Sequence, residues 1–272
     1  MGKTVLVLLD ACRYDAATET AGYLEHLIEA GLGAKYKVWG ILPSMSRPMY
    51  ETSMTGLIPA DHGVNDNRYN FRSKCENIFS LCRKAGKKTA AAAYFWMAEL
   101  YEKTPFDSLN DRFRLNGTGD IDHGIYYFED QYPDSHLFLD GEFLRKEYSP
   151  DFLLIHSMNI DLAGHINGGG TPPYVAQVQK TAEFLARLIP VWKEAGYNII
   201  VTADHGMSRG GYHGGPSAEQ RTLPMYIFSE KAVPGDLSDK LISQLNLAPA
   251  ICRLLDIEPA AAMLKDLEIK LK

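Results

Sequence analysis

The chain has few cysteines, no long apolar run and no excess of positive charge. Its four cysteines form no C-x-x-C pair, and an even number does not by itself indicate bridges, so we expect reduced thiols. No stretch approaches the about 20 apolar residues that cross a membrane, and no cleavable signal pattern precedes the first apolar run. The net charge of −6 argues against a surface that coats nucleic acid or an anionic membrane. We therefore expect a cytoplasmic protein with neither a nucleic-acid polymer nor a membrane as partner.

At 272 residues the chain is long enough for one large α/β domain with a substantial core. Apolar, β-branched runs of strand length recur at residues 4–9, 37–41, 89–95, 152–158, 198–202 and 225–228. Helical stretches with apolar residues at three- and four-residue spacing lie between them, at 16–30, 48–57, 78–85, 174–195 and 241–255. This alternation predicts a mostly parallel sheet covered on both faces, an α/β fold of the three-layer αβα sandwich type, in a single catalytic domain formed by residues 1–272.

Residues 103–149 interrupt this alternation. They are rich in Asp, Asn, Gly, Tyr and Phe, and only one helix is indicated, near their end. Long irregular inserts in compact domains usually serve a function. We therefore predict that this segment is a cap over the active site.

Three apolar strands end, or nearly end, in an aspartate: Asp10, Asp161 and Asp204. Because the carboxyl ends of parallel strands line the ligand crevice of such sheets, we expect the three carboxylates to converge. His165 follows Asp161 by four residues, one turn of a helix, and His205 directly follows Asp204. The pattern is typical of a metal site.

His213 adds a third imidazole. It is the last histidine of the chain and lies in a glycine-rich stretch, GGYHGG, that lets a side chain reach across a crevice. Three Asp and three His without cysteine suit Zn²⁺ or Mn²⁺ better than Ca²⁺ or an iron–sulfur cluster. Two such ions, close together, clamp the attacking and leaving oxygens in phosphoryl transfer.

Ser46 is the candidate nucleophile. It precedes a predicted helix with Pro48 in the first turn, so we predict that Ser46 is the N-cap residue. Its hydroxyl would then share the positive end of the helix with an incoming phosphate.

Taken together, these segments resemble the nucleotide pyrophosphatase/phosphodiesterase (type I phosphodiesterase) branch of the alkaline phosphatase superfamily. The matching segments are LDACRYD (9–15), SRP to MTGL (46–57), HGVNDN (62–67), DLAGH (161–165) and DHGM (204–207). The resemblance implies an alkaline phosphatase-like fold and two divalent metal ions, zinc or alternatively manganese. It implies one ion held by Asp161, His165 and His213, and a second held by Asp10, Asp204, His205 and the Ser46 oxygen.

The resemblance also implies how a phosphate is held. Asn67 lies where the family uses an Asn for a non-bridging phosphate oxygen, and the backbone N–H of Arg47 is a second donor. Two features depart from the branch: Ser46 stands where Thr is usual, and His213 follows Asp204-His205 by only eight residues. The sulfatase signature lies in the same register, but Tyr50 occupies its essential Arg position.

We therefore predict a phosphodiesterase that attacks a small phosphate ester with Ser46 and passes through a phosphoserine. A phosphomonoesterase or phosphonate-cleaving enzyme with the same metals is one alternative, with Arg13, Arg47 or Arg209 as the partner of the extra charge. A sulfatase is disfavoured by Tyr50, and a catalytically silent metal-binding regulatory protein is the other alternative. Nothing in the sequence predicts the oligomeric state.

Overall fold

The apolar runs of the sequence form the centre of a nine-stranded sheet in the computed structural model, which describes residues 2–272. The strands are β1 (Lys3–Leu9), β2 (Ala34–Trp39), β3 (Thr89–Tyr94), β4 (Phe113–Leu115), β5 (His123–Tyr127), β6 (Phe152–Ser157), β7 (Tyr197–Ala203), β8 (Thr222–Phe228) and β9 (Gly235–Ser243). Their order across the sheet is β4-β5-β3-β6-β1-β7-β8-β2-β9.

The central strands of this sheet are parallel. Strand β1 pairs in parallel with β6 on one side and with β7 on the other, whereas β8 is antiparallel to both β7 and β2. Leu9 lies opposite Ser157 in one pair and opposite Ala203 in the other. The carboxyl ends of three neighbouring strands therefore meet at one edge of the sheet, which is where ligands bind in this architecture.

Helices cover the sheet on both faces. They are α1 (Tyr14–Thr20), α2 (Gly22–Glu29), α3 (Ser46–Thr55), α4 (Pro59–His62), α5 (Ile78–Lys84), α6 (Phe95–Tyr101), α7 (Asp134–Tyr148), α8 (Asn159–Asn167), α9 (Pro172–Glu194), α10 (Ala218–Arg221) and α11 (Leu247–Leu255). Helices α1, α2 and α7 pack around α9, while α3, α5 and α11 form a second group. The predicted mostly parallel α/β sandwich is confirmed. Among residues 2–272, no helix combines the length and the apolar character needed to cross a membrane.

Several predicted boundaries are wrong. The helix predicted at 16–30 is divided at Ala21 into α1 and α2, and the helix predicted at 241–255 begins only at Leu247. Gln244–Asn246 form a short 3₁₀-helix, and the residues before them belong to β9, an edge strand that the sequence analysis missed. Its sequence, GDLSDKLIS, is polar and largely solvent-facing because only one side of the strand is paired, so it lacks the apolar signal of a central strand.

The segment 103–149, for which we predict a cap over the active site, contains regular secondary structure. Much of this segment completes the sheet: it contributes β4 and β5 at one edge and α7, which packs on β3 and β6. Gly141 allows the close contact, because a Cβ there would lie 2.5 Å from the Ile155 side chain. The two strands are short, three and five residues, and short strands give a weak periodic signal.

Candidate active site

Ser46 lies at the N-terminus of α3, at the edge where β1, β6 and β7 end. The predicted N-cap is wrong by one residue: Met45 has the extended cap conformation and Ser46 is the first helical residue. The Ser46 side chain therefore caps no backbone amide and points elsewhere. Its Oγ lies 3.1 Å from Nε2 of His205, inside the cluster of Asp and His side chains.

The structure brings the three aspartates together. Asp10 directly follows β1, Asp204 directly follows β7, and Asp161 is in the first turn of α8, just beyond β6. Asp10 and Asp204 are fully buried, and Asp161 is 7% exposed. Parallel pairing of β1 with both neighbours places these carboxylates side by side.

The side chains form two groups with the geometry of metal ligands. Ligand atoms of Asp10, Asp204 and His205 lie within 4.8 Å of one another, and so do those of Asp161, His205 and His213. His165 adjoins the second group, because its Nε2 lies 3.3 Å from Asp161 Oδ2 and 3.3 Å from His213 Nε2. His205 thus stands between the two groups, whereas the family resemblance implies it for one ion only.

Three buried carboxylate oxygens have no hydrogen-bond donor among residues 2–272: Asp10 Oδ1, Asp161 Oδ1 and Asp204 Oδ2. An unpaired buried anionic oxygen is costly unless a cation or a donor satisfies it. These oxygens lie beside imidazole nitrogens, at 3.2 Å for Asp10 Oδ1 to His205 Nε2 and 3.3 Å for Asp204 Oδ2 to the same atom. The residues present therefore fit a pair of divalent cations.

Backbone carbonyls fix how the three histidines present their rings. In each case Nδ1 contacts a carbonyl oxygen: His165 contacts Gly211 at 2.9 Å, His205 contacts Gly206 at 2.9 Å, and His213 contacts Ser44 at 3.1 Å. A carbonyl can only accept, so the hydrogen sits on Nδ1. Nε2 then turns toward the carboxylates, with its lone pair free in the neutral ring, as in metal-binding histidines.

The charges of the cluster favour a cation. Burial, aided by the negative charge of Asp10, raises the pKa of both Asp161 and Asp204. Although burial opposes the charged imidazole, the charges of Asp204 and Asp10 raise the pKa of His205 to about 10. The hydrogen bond to Asp161 raises the pKa of His165 to about 9. These shifts favour positive charge beside Asp161 and Asp204, whereas burial and the charge of His205 lower the pKa of His213 to about 3.

Asn67 and Arg47 contact each other. The backbone N–H of Arg47, predicted to face a phosphate oxygen, instead donates to Asn67 Oδ1 at 3.0 Å. The Arg47 side chain is buried, pairs with Glu99 Oε2 at 2.7 Å and lies 4.5 Å from the centre of the Trp96 ring. This hydrogen bond orients the Asn67 amide and occupies its oxygen.

Two residues that the sequence analysis did not assign to the site contact Asp10. The Tyr50 hydroxyl donates to Asp10 Oδ2, and His156 Nε2 lies 3.2 Å from the same oxygen. The position of Tyr50, four residues after Ser46, could have indicated it, because residues one helical turn apart share a face. His156 gave no signal beyond its place near the end of an apolar strand.

The fold and the site define an α/β sandwich protein with a cluster of candidate metal ligands at the carboxyl ends of its central strands. The chain belongs to the type I phosphodiesterase / nucleotide pyrophosphatase family, whose sequence model matches residues 4–215. The matched range begins in β1 and extends past His213. The resemblance drawn from the sequence motifs is thus confirmed.

Individual relatives are distant. Human GPI ethanolamine phosphate transferase 2, catalytic subunit, is 23% identical over 92% of this chain and 26% of its own length. Rat ectonucleotide pyrophosphatase/phosphodiesterase family member 3 is 25% identical over 68% of this chain and 22% of its own length. The chain thus spans about a quarter of these relatives. The structure of inactive murine ectonucleotide pyrophosphatase/phosphodiesterase 5 in complex with AMP covers the whole chain with a TM-score of 0.76 at 13% identity.

Proposed function

We propose that this protein is a metal-dependent phosphoric ester hydrolase that cleaves a small phosphodiester through a phosphoserine on Ser46. The observation that carries the proposal is a set of three buried carboxylate oxygens that have no hydrogen-bond donor within the described residues 2–272. They lie beside imidazole Nε2 atoms and the Ser46 hydroxyl. A fold that needed only stability would leave such oxygens hydrogen-bonded.

Two divalent ions, zinc or alternatively manganese, suit these oxygen and nitrogen ligands. Asp161, His165 and His213 would hold one ion, and Asp10, Asp204, His205 and Ser46 the other. Bound there, the ions would lower the pKa of the Ser46 hydroxyl and offset the charge of the phosphate oxygens. Because His205 lies within reach of both groups, its replacement should weaken both sites.

The side chains of the site then act in two steps. Ser46 loses its proton to solvent, and its Oγ forms a bond to phosphorus while the bond to the leaving oxygen breaks with its electron pair. The leaving group departs as an alkoxide or phenolate, which takes up a proton from solvent. A water oxygen then forms a bond to phosphorus while the bond from phosphorus to Ser46 Oγ breaks. The phosphate monoester is released, and a proton from the attacking water restores the Ser46 hydroxyl. The N-terminus of α3 faces negative charge on the phosphate, and Asn67 donates to a non-bridging oxygen.

The arginines support a diester over a monoester. The Arg47 guanidinium is buried against Glu99, and Arg13 pairs with Asp15 and lies 3.7 Å from Glu219. Both guanidinium groups are thus already paired with carboxylates, so neither is available to neutralise the second negative charge that a monoester carries. Arg209 is exposed and is the arginine through which a monoesterase could still work.

A transferase is the second candidate, and the names of the relatives favour it. GPI ethanolamine phosphate transferases match 92% to 94% of this chain. Hydrolysis and transfer share the first step and differ in whether water or an alcohol attacks the phosphoserine. A non-catalytic metal-binding protein would keep the ligands but turn over no ester.

The test is a panel of aryl phosphodiesters, phosphomonoesters, phosphonates and sulfates, assayed with and without glycerol as an alcohol acceptor. Ser46→Ala should abolish turnover and leave the content of zinc or manganese nearly unchanged. Ser44→Ala is the matched control, because Ser44 Oγ donates to the Gly215 carbonyl at 2.8 Å and so is committed elsewhere. Wild-type turnover in Ser46→Ala would place the nucleophile elsewhere, and a glycerol ester as main product would favour the transferase.

A further inference from the structure

Tyr50 and His156 contact one oxygen of Asp10, while the other oxygen faces the cluster of candidate metal ligands. Asp10 Oδ2 accepts from the Tyr50 hydroxyl and lies 3.2 Å from His156 Nε2. Asp10 Oδ1 has no hydrogen-bond partner among residues 2–272 and lies 3.2 Å from His205 Nε2. The two oxygens of this carboxylate are therefore in different surroundings.

The three side chains form a rigid unit. Tyr50, His156 and Asp10 are all fully buried, and the Tyr50 and His156 rings contact edge to face, with their centres 4.6 Å apart and an interplanar angle of 71°. The Tyr127 hydroxyl also lies 3.5 Å from His156 Nδ1 and donates to the His156 carbonyl at 2.9 Å. Packed rings of this kind leave the Asp10 carboxylate little freedom to rotate.

Tyr50 also connects the nucleophile to a metal ligand. Ser46 and Tyr50 lie one turn apart on α3, so both face the end of β1. The hydrogen bond from Tyr50 to Asp10 therefore joins the helix that begins with the proposed nucleophile to the candidate ligand that directly follows β1.

We propose that Tyr50 and His156 are positioning residues: they hold Asp10 so that only Oδ1 binds a divalent ion, and they set the affinity of the site formed by Asp10, Asp204 and His205. The inference rests on the proposed function, since it requires that the protein bind two ions. Groups that orient a ligand in this way change metal affinity by about 10- to 100-fold when they are replaced.

The test is Tyr50→Phe, which removes one oxygen atom and keeps the ring. Tyr101→Phe is the matched control, because Tyr101 is also buried and its hydroxyl also donates to a buried carboxylate. The acceptor is Glu51, at 2.8 Å, which lies beside Tyr50 on α3 and is not a candidate ligand. Zinc affinities are measured by competition with a chromogenic chelator. Cobalt is also bound in place of zinc, because its visible absorption reports the coordination of each site.

Tyr50→Phe should weaken one of the two zinc sites about 10- to 100-fold and alter the cobalt spectrum of that site alone, with the other site and Tyr101→Phe unchanged. His156→Leu, measured in parallel, should weaken the same site. Wild-type affinities in both Tyr50→Phe and His156→Leu would overturn the inference and leave the proposed function standing. Equal losses in Tyr50→Phe and Tyr101→Phe would also overturn it. A wild-type protein that binds no divalent ion would overturn the proposed function as well.

Discussion

Removing divalent metal should lower the thermal stability of the protein. Three buried carboxylate oxygens have no hydrogen-bond donor among residues 2–272, so the folded state offers cations a site that the unfolded chain lacks. An ion at about 100 times its dissociation constant stabilises the folded state by about 2.7 kcal/mol. At about 2.1 cal/mol/K per residue, unfolding a chain of 272 residues has an entropy near 0.57 kcal/mol/K. We therefore expect chelation to lower Tm by about 5 °C for each site, or about 10 °C for both.

The assay is thermal unfolding of protein loaded with zinc, of protein treated with a chelator, and of treated protein to which zinc is returned. Asp204→Asn should reduce the shift, because it removes a ligand. In the chelated state the same variant should be at least as stable as wild type, since it removes one negative charge from a buried cluster that also holds Asp10 and Asp161.

Asp134→Asn is the control for carboxylate burial. Asp134 is 3% exposed, but its Oδ1 accepts from Ser157 at 2.6 Å and its Oδ2 from Thr181 at 2.5 Å, so no oxygen is left for a metal. This variant should keep the full response to chelation. A wild-type Tm that changes by less than about 1 °C on chelation and on return of zinc would refute the reasoning, because the predicted shift is several times larger.

Three further predictions follow from other contacts. Asn67→Ala should lower kcat/KM for a diester more than for a matched monoester. A wild-type preference for the monoester above about a hundredfold in kcat/KM, roughly 2.7 kcal/mol, would contradict the proposal that the protein is a phosphodiesterase. Burial raises the pKa of Glu51 to about 7, although the hydrogen bonds from Ser73 and Tyr101 act to lower it. The folded state therefore keeps a proton that the unfolded chain releases above its usual pKa of 4.5, and stability should fall between pH 4.5 and 7. Glu51→Gln should remove that part of the pH dependence in urea titrations, and an unchanged slope would contradict it. Glu99→Gln, which leaves the buried Arg47 without its anionic partner, should cost about 3–5 kcal/mol in urea unfolding, and a loss below about 1 kcal/mol would contradict that expectation.

Local residue patterns, formed by residues close together in the chain, were enough to predict the fold class. The apolar, β-branched runs at β1, β6 and β7 have a strong local signal because these strands are buried on both faces. The edge strands were missed or displaced for the opposite reason. Strand β9 is polar and paired on one side only, and β4 has three residues, so neither differs locally from a loop.

The sequence by itself determined the fold class, the family and the residue types gathered at the ends of β1, β6 and β7, because strand direction brings those ends together wherever the sheet forms. Only the tertiary structure decided which atoms face the cluster. Tyr50 and His156 contact one oxygen of Asp10, and the Arg47 side chain donates a hydrogen bond to Glu99, which lies 52 residues away in the chain. Such contacts depend on packing between distant segments, and side-chain directions fixed by packing leave no periodic trace in the sequence.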